Sequence, residues 1–248
     1  MRRIYLIIGP VFILLLWFLL TSFGLIDPIF LPSPIKTFGK LFSLIFSGNI
    51  LPDVKLTIIR WLTGLAIGII IGIPIGVFMG SSKIIYQSLE VVIDFFRSIP
   101  IMTLFPLAMV LFGIGDKSKI ALAAWASIIY VIINTMYGVR HVKEARLMMA
   151  RSLRANRFQI FIKVIMPDAL PEIFVGIRMS ISMSLVIVVA SEMIMGGNIG
   201  LGKRIYDAAM VYQITEMYSA IIIAGLLGYL SNKIFVIFEN RIIHWTTK

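Results

Sequence analysis

Long runs of apolar residues, separated by short polar and charged patches, dominate this chain. Residues 4–26 carry no charge and follow Arg2-Arg3, and residues 61–82 and 120–139 are likewise uncharged. Between the latter two, 98–115 is shorter and interrupted by Pro100 and Pro106, while 173–195 and 214–238 hold isolated charges. A helix needs roughly 20 apolar residues to cross the hydrocarbon core of a bilayer. One crossing per run predicts an all-α, polytopic integral membrane protein with six transmembrane helices and both termini on one side. The first run resembles a secretory signal, but it is too long and lacks a small-x-small cleavage site, so it reads as an uncleaved first helix. Three units follow: a first transmembrane helix (1–26), an extracytoplasmic segment (27–55) and a five-helix core (56–248) carrying a long charged cytoplasmic loop at about 140–172.

Finer patterning adds two expectations. In the 27–55 segment Pro28, Pro32 and Pro34 break any helix, after which Ile35, Phe38, Phe42 and Ile45 recur at helical spacing opposite Lys36, Lys40, Ser43 and Ser47. That predicts an amphipathic helix, lying in the membrane interface or packed on neighbouring helices. Within 61–82, Gly64, Gly68, Gly72, Gly76 and Gly80 fall at a strict interval of four, giving one smooth helical face for close helix packing. Pro74 predicts a kink there.

Composition removes whole classes of function. With 59% hydrophobic and 14% charged residues and a mean hydropathy of +0.98, the chain cannot cover a water-facing surface. A net charge of +11 would point to nucleic acid in a soluble protein, but here it reads as basic loops held in the cytoplasm. With the N-terminus inside, cytoplasmic segments hold 14 Lys and Arg, among them Arg2, Arg3 and Lys248; outer segments hold eight, Arg60 and Arg204 included. Both termini are therefore placed in the cytoplasm. There is no cysteine, no G-x-x-x-x-G-K-[ST] loop and no paired-ligand pattern around His141 or His244, so neither a catalytic residue, a metal nor a cofactor is expected.

Polar residues inside the apolar runs are candidates for a solute path. Ser180, Ser184 and Ser191 share one face of the 173–195 run, Glu192 borders it, and Asn134 sits deep in 120–139. They either line a translocation pathway or bond helices together. Arg178, near the inner end of the same run, is read as snorkelling to the surface.

The 140–172 loop is the most informative segment. It holds Glu144, Asp168 and Glu172 among many basic residues, and its apolar positions read as two short helices. The first covers Met148, Met149, Ala150 and Leu153. Asn156 is placed to cap the second, in which Phe158 and Phe161 share a face with Ile162 and Ile165 before Pro167 ends it. Positive-inside charge explains the basic residues but not this apolar face, which needs something to pack against.

The order Met148-Met149-Ala150, Arg154, Val164-Ile165-Met166-Pro167 resembles the EAA loop, E-A-A-x3-G-x9-I-x-L-P, of ABC-transporter permeases. Met148 and Met149 stand where Glu and Ala are usual, and Arg154 stands where Gly is usual. Phe95-Phe96-Arg97-Ser98-Ile99-Pro100, Phe112-Gly113-Ile114-Gly115, Val175-Gly176-Ile177-Arg178, Ser191-Glu192-Met193-Ile194 and Ile199-Gly200-Leu201-Gly202 are similar to permeases of the nitrate, sulfonate, taurine and bicarbonate importer group. The resemblance implies a permease that works as a pair, a homodimer, with two copies of an ABC ATPase subunit and an extracytoplasmic substrate-binding protein. It further implies that Met148, Met149, Ala150, Arg154, Asn156, Phe158, Phe161 and Pro167 belong to a coupling helix docked on the ATPase. The competing expectation is an ion-coupled secondary transporter, which needs interior carboxylates and for which Glu192 is the sole support.

Overall fold

A computed structural model describes residues 2–245, with side chains from residue 8 onward; Lys248 and the side chains of Arg2 and Arg3, used in the charge count, lie outside the described residues. The elements are α1 (Arg2–Ser22), α2 (Pro34–Phe46), α3 (Leu51–Ser81), α4 (Lys83–Ser98), a 3-10 turn (Ile101–Leu104), α5 (Phe105–Phe112), α6 (Asp116–Arg140), α7 (Glu144–Ser152), α8 (Arg157–Ile160), a π turn (Phe161–Ile165), α9 (Met166–Ile194), α10 (Leu201–Met210) and α11 (Ile214–Ile242). No strand occurs among the described residues.

Four helical segments are long and apolar enough to cross a membrane: α3, α6, Arg157–Ile194 and α11. A fifth passes only as a pair, α4 with residues 101–112, bent by 85°. The described apolar part of α1, Ile8–Ser22, is shorter. The 98–115 run is thus not one crossing helix. Its apolar element begins at Lys83, and the bend falls at Ile99-Pro100, because a residue before proline is pushed out of helical geometry. Pro106 breaks nothing, since it sits in the first turn of α5, where its missing N–H is not needed.

The core is built on α3 and α6. A Cβ added at Gly64, Gly68, Gly72, Gly76 or Gly80 would lie 2.1–2.8 Å from the Cβ of Ala123, Ser127, Val131, Thr135 or Val139, in that order. The order ascends on both helices, so α3 and α6 run parallel, and only hydrogen at each α3 position lets the backbones come this close. Two parallel neighbours in sequence require the chain to return through the thickness of the bundle between them, which is the task of α4, the 3-10 turn and α5. Next, α9 packs on α6 in the opposite direction: Gly138 meets Ala169, Gly176 meets Asn134, and Ser180 bonds the Ser127 carbonyl. Trp61, Leu65, Ala123, Ile181, Leu185 and Val188 fill the space where the three helices meet.

α2 divides its apolar residues between two faces. Thr37, Leu41 and Leu44 are buried against α10 and α11, with Phe38 packed at the edge. Ile35, Phe42 and Ile45, expected to form the packed or membrane-inserted face with Phe38, are exposed in this chain. A helix with apolar residues on two sides supplies one side to the protein and leaves the other for lipid or a partner.

Candidate functional site

At the α10 end of the bundle, charged side chains from distant parts of the sequence converge. Arg60 of α3 is 3% exposed and Glu192 of α9 has no exposed surface. The Arg60 guanidinium donates from Nη1 to Glu192 Oε1 at 2.6 Å and to the Ile199 carbonyl at 3.0 Å, and from Nη2 and Nε to Asp116 Oδ1 at 2.6 and 2.8 Å. Thr57, one turn earlier, donates to Glu192 at 2.9 Å. Lys119, also buried, donates to the Gly196 carbonyl at 2.6 Å.

The same cluster caps α10. The first N–H groups of a helix have no partner within it. Here Gly200 N–H donates to Asp53 Oδ1 at 2.9 Å, Leu201 N–H to Thr57 Oγ1 at 3.0 Å and Gly202 N–H to Glu192 Oε2 at 2.9 Å. Two carboxylates at a helix N-terminus also oppose the positive end of its dipole. Gly200 has φ +147°, and a Cβ at Gly202 would lie 2.0 Å from the Val189 carbonyl oxygen, so this turn demands glycine at both places. That gives the Ile199-Gly200-Leu201-Gly202 motif its physical content. Outside the core, Arg204 pairs with Asp53 and Glu216, and Lys40 with Glu216. Burial alone would lower the Arg204 guanidinium, but its hydrogen bonds to the two carboxylates outweigh that and hold it above its ordinary value.

Along the interior, the serine face of α9 is enclosed in this chain. Ser180 donates to the Gly176 and Ser127 carbonyls, Ser184 to the Ser180 carbonyl at 2.6 Å, and Ser191 to the Val188 carbonyl at 2.7 Å. Ser184 also accepts from Trp61 Nε1 at 2.9 Å. Asn134 is half-buried and donates to the Tyr130 carbonyl at 2.8 Å. Arg178 lies 3.6 Å from Glu239 of α11, a partner that sequence spacing alone does not reveal.

The opposite end carries the 140–172 loop. α7 is followed by Arg154, whose φ of +53° is the left-handed conformation that favours glycine. An arginine thus bears left-handed strain at the position where the EAA pattern has glycine. Asn156 then opens α8 with a capping box: its side chain accepts from Gln159 N–H, and the Gln159 side chain accepts from Asn156 N–H. Asp168 accepts from Lys143 N–H at 3.3 Å and pairs with Arg146, tying α7 to the start of α9.

Pro167 does not end the second helix. Having no N–H, it leaves a carbonyl of the preceding turn without its usual bond, and the chain widens into a π turn that hands over to α9. The 38-residue segment Arg157–Ile194 is consequently one apolar helix running from the loop through the bundle. Phe158 and Phe161 differ in exposure although they are three residues apart. Phe158 is 70% exposed and shares the outer face with Ile162, whereas Phe161 and Ile165 turn inward toward Val139. With Met148, Met149 and Leu153, also exposed, Phe158 and Ile162 make the loop's outward apolar surface; Ala150 is buried.

Residues 64–247 match the family described as binding-protein-dependent transport system inner membrane component, a span that takes in Asp116, Glu192, α10 and the 140–172 loop. The chain belongs to this family. The permease is 31% identical over 236 residues to the putative aliphatic sulfonates transport permease protein SsuC of Bacillus subtilis, covering 95% of this chain and 85% of the relative. It is 29% identical over 250 residues to the taurine transport system permease protein TauC of Escherichia coli, covering 98% and 90%. With the nitrate import permease protein NrtB of Synechocystis it shares 30% over 222 residues, covering 86% and 80%. In fold it resembles a chain from inward-facing conformations of the MetNI methionine ABC transporter, with a TM-score of 0.67 over 80% of this chain and 96% of that one at 21% identity. A crystal structure of an amino acid ABC transporter with histidines gives 0.63 over 83% and 98% at 20% identity. The permease is an inner-membrane subunit of an ATP-binding-cassette importer, and its family is one of transporter subunits rather than enzymes.

Proposed function

We infer that this permease carries a small anionic solute, of the sulfonate or nitrate kind, into the cytoplasm as one half of a homodimer driven by two separate ATPase subunits. An extracytoplasmic binding protein delivers the solute at the α10 end, and the 140–172 loop couples to the ATPase at the other. α1, α3, the bent α4–α5 pair, α6, α9 and α11 make six crossings, with both termini cytoplasmic. The observation that carries this reading is the outward apolar surface of the loop: Met148, Met149, Leu153, Phe158 and Ile162 are all exposed on a segment whose backbone is capped and tied down. Exposed apolar patches mark docking sites, and large side chains at the centre of an interface carry most of its energy. Arg154, Asn156, Ala150 and Pro167 shape the turn that presents them; Phe161 braces it from within.

The enclosed Ser180, Ser184 and Glu192 are assigned to bonding between helices, and Ser191 to bonding the Val188 carbonyl of its own helix, leaving half-buried Asn134 as the candidate nearer a solute path. The ion-coupled alternative is not favoured, because Glu192 already accepts from Arg60, Thr57 and Gly202. The test is the Met149→Ala, Phe158→Ala double variant of the reconstituted transporter. The affinity that retains the ATPase on the membrane should fall by roughly 30-fold, about 2 kcal/mol of interface energy. Lys163→Gln should change it little, since an exposed rim charge is worth about 0–1 kcal/mol. Full retention and full transport in the double variant would place the coupling contact elsewhere.

A further inference from the structure

Behind the coupling loop lies a cavity of about 910 Å³, walled on one side by the ends of α3 and α6 and on the other by α7, α8 and the π turn. Four cationic side chains line it: Lys83, Arg140, Arg151 and Arg157. No carboxylate is among the lining residues. Arg140 stacks 3.5 Å from the ring centroid of Tyr86, but among the described residues none of the four has an acidic partner within 4.0 Å. This contrasts with Arg146 on the other side of α7, which is paired with Asp168, and with Arg60, Arg178 and Arg204, which are all paired. The cavity is amphiphilic: Val139, Phe161 and Ile165 give it an apolar wall. Phe78 and Ile84, which flank the lining residues Gly80, Ser81 and Lys83 in sequence, are exposed apolar side chains.

A concentration of unpaired cations is stabilised by an anion, and the apolar wall beside them asks for a hydrocarbon part attached to that anion. Basic recesses between transmembrane helices at a membrane surface take anionic headgroups. We propose that this cavity binds the phosphate headgroup of an anionic membrane phospholipid, with its acyl chains lying along Phe78 and Ile84. The lipid would fill the space behind the loop and brace Phe161 and Ile165 from the rear, so that a displacement of the loop is passed to α3 and α6 rather than absorbed by an empty cavity. The proposal takes the side of the membrane from the function proposed above, but the binding itself does not depend on coupling.

The test uses the whole transporter purified in detergent and delipidated. Retention of phosphatidylglycerol and of phosphatidylcholine is measured by native mass spectrometry across a lipid titration, with inorganic phosphate as a competing free anion. The complex should retain phosphatidylglycerol preferentially. Arg151→Gln with Arg157→Gln should weaken that retention by roughly 30-fold, the attraction of two basic residues at a membrane surface. The charge-preserving Arg151→Lys, Arg157→Lys pair should stay within about threefold of the natural protein, which separates lost charge from lost folding, and Arg97→Gln, outside the cavity, should change nothing. Equal retention of both lipids, or unchanged retention in the Gln pair, overturns the proposal. Displacement of the lipid by millimolar inorganic phosphate overturns the lipid as the source. Because lipid retention and ATPase retention are read separately, this site can fail while the coupling loop stands, and the reverse.

Discussion

The two ends of this bundle handle charge and apolar surface in opposite ways. At the α10 end, Arg60, Glu192, Asp116 and Thr57 satisfy one another, and Asp53, Thr57 and Glu192 accept from three helix-start N–H groups, so buried polar atoms there meet partners drawn from α3, α6, α9 and α10. At the loop end, Lys83, Arg151 and Arg157 have no acidic partner among the described residues, large apolar side chains face outward, and Arg154 holds a strained backbone. The first end is complete within one chain; the second has its interactions left open for other molecules. A transporter subunit needs both, because a lever transmits force only if it is anchored somewhere that does not yield.

That contrast is open to attack from its strongest point downward. Glu192→Ala removes one partner of a fully enclosed ion pair and leaves three donors facing a void, which should cost about 3–5 kcal/mol. The measurement is thermal unfolding of the detergent-solubilised permease, and an unchanged Tm would mean that the α10 end is no anchor. The α3–α6 seam comes next: Gly68→Ala places a Cβ 2.1 Å from that of Ser127 and should cost about 1–3 kcal/mol. Adding Ser127→Gly should restore most of that loss, and failure to restore it would show that the seam is not set by this contact. At the loop, Arg154→Gly relieves about 1 kcal/mol of left-handed strain but adds about 0.5–1 kcal/mol of chain entropy to the unfolded state. The net effect on Tm should be close to zero, while Arg154→Val should speed proteolysis of the loop. Smallest of all, Met149→Ala with Phe158→Ala should leave the stability of the permease within about 0.5 kcal/mol, since both side chains are already exposed. A large loss of stability there would turn the loop surface from a docking face into part of the core.

Much of the architecture is legible in one dimension because its signals are local. The five glycines at an interval of four lie along one face of one helix, and that face meets α6 over its whole length. Asn156 caps the helix it precedes, because a cap and its target are three residues apart. The EAA spacing is visible despite Arg154, since backbone geometry at that position is imposed by the surrounding turn and an arginine tolerates it at a cost. The π turn at 161–165 is not visible, for it depends on how a proline is accommodated at the head of α9, and the spacing of Phe158 and Phe161 likewise hides that the first is exposed while the second lines the cavity with Val139. The packed face of α2 is hidden too, because apolar residues on both its sides leave the choice to α10 and α11.

Apolar run length and helical periodicity, properties of neighbouring residues, were enough to make this chain an all-α membrane protein with a close-packed glycine helix and a capped, apolar loop. Charge partnership was decided only in three dimensions. Arg60 reads in sequence as one more basic residue of an outer segment, yet its partners are 56 and 132 residues away and meet it only when α3, α6 and α9 assemble. Lys83, Arg151 and Arg157 read much the same along the chain, yet none of them meets an acid within 4.0 Å among the described residues. An ion pair is a matter of a few ångströms in space, and sequence separation carries almost no information about that distance unless both charges lie on one helix.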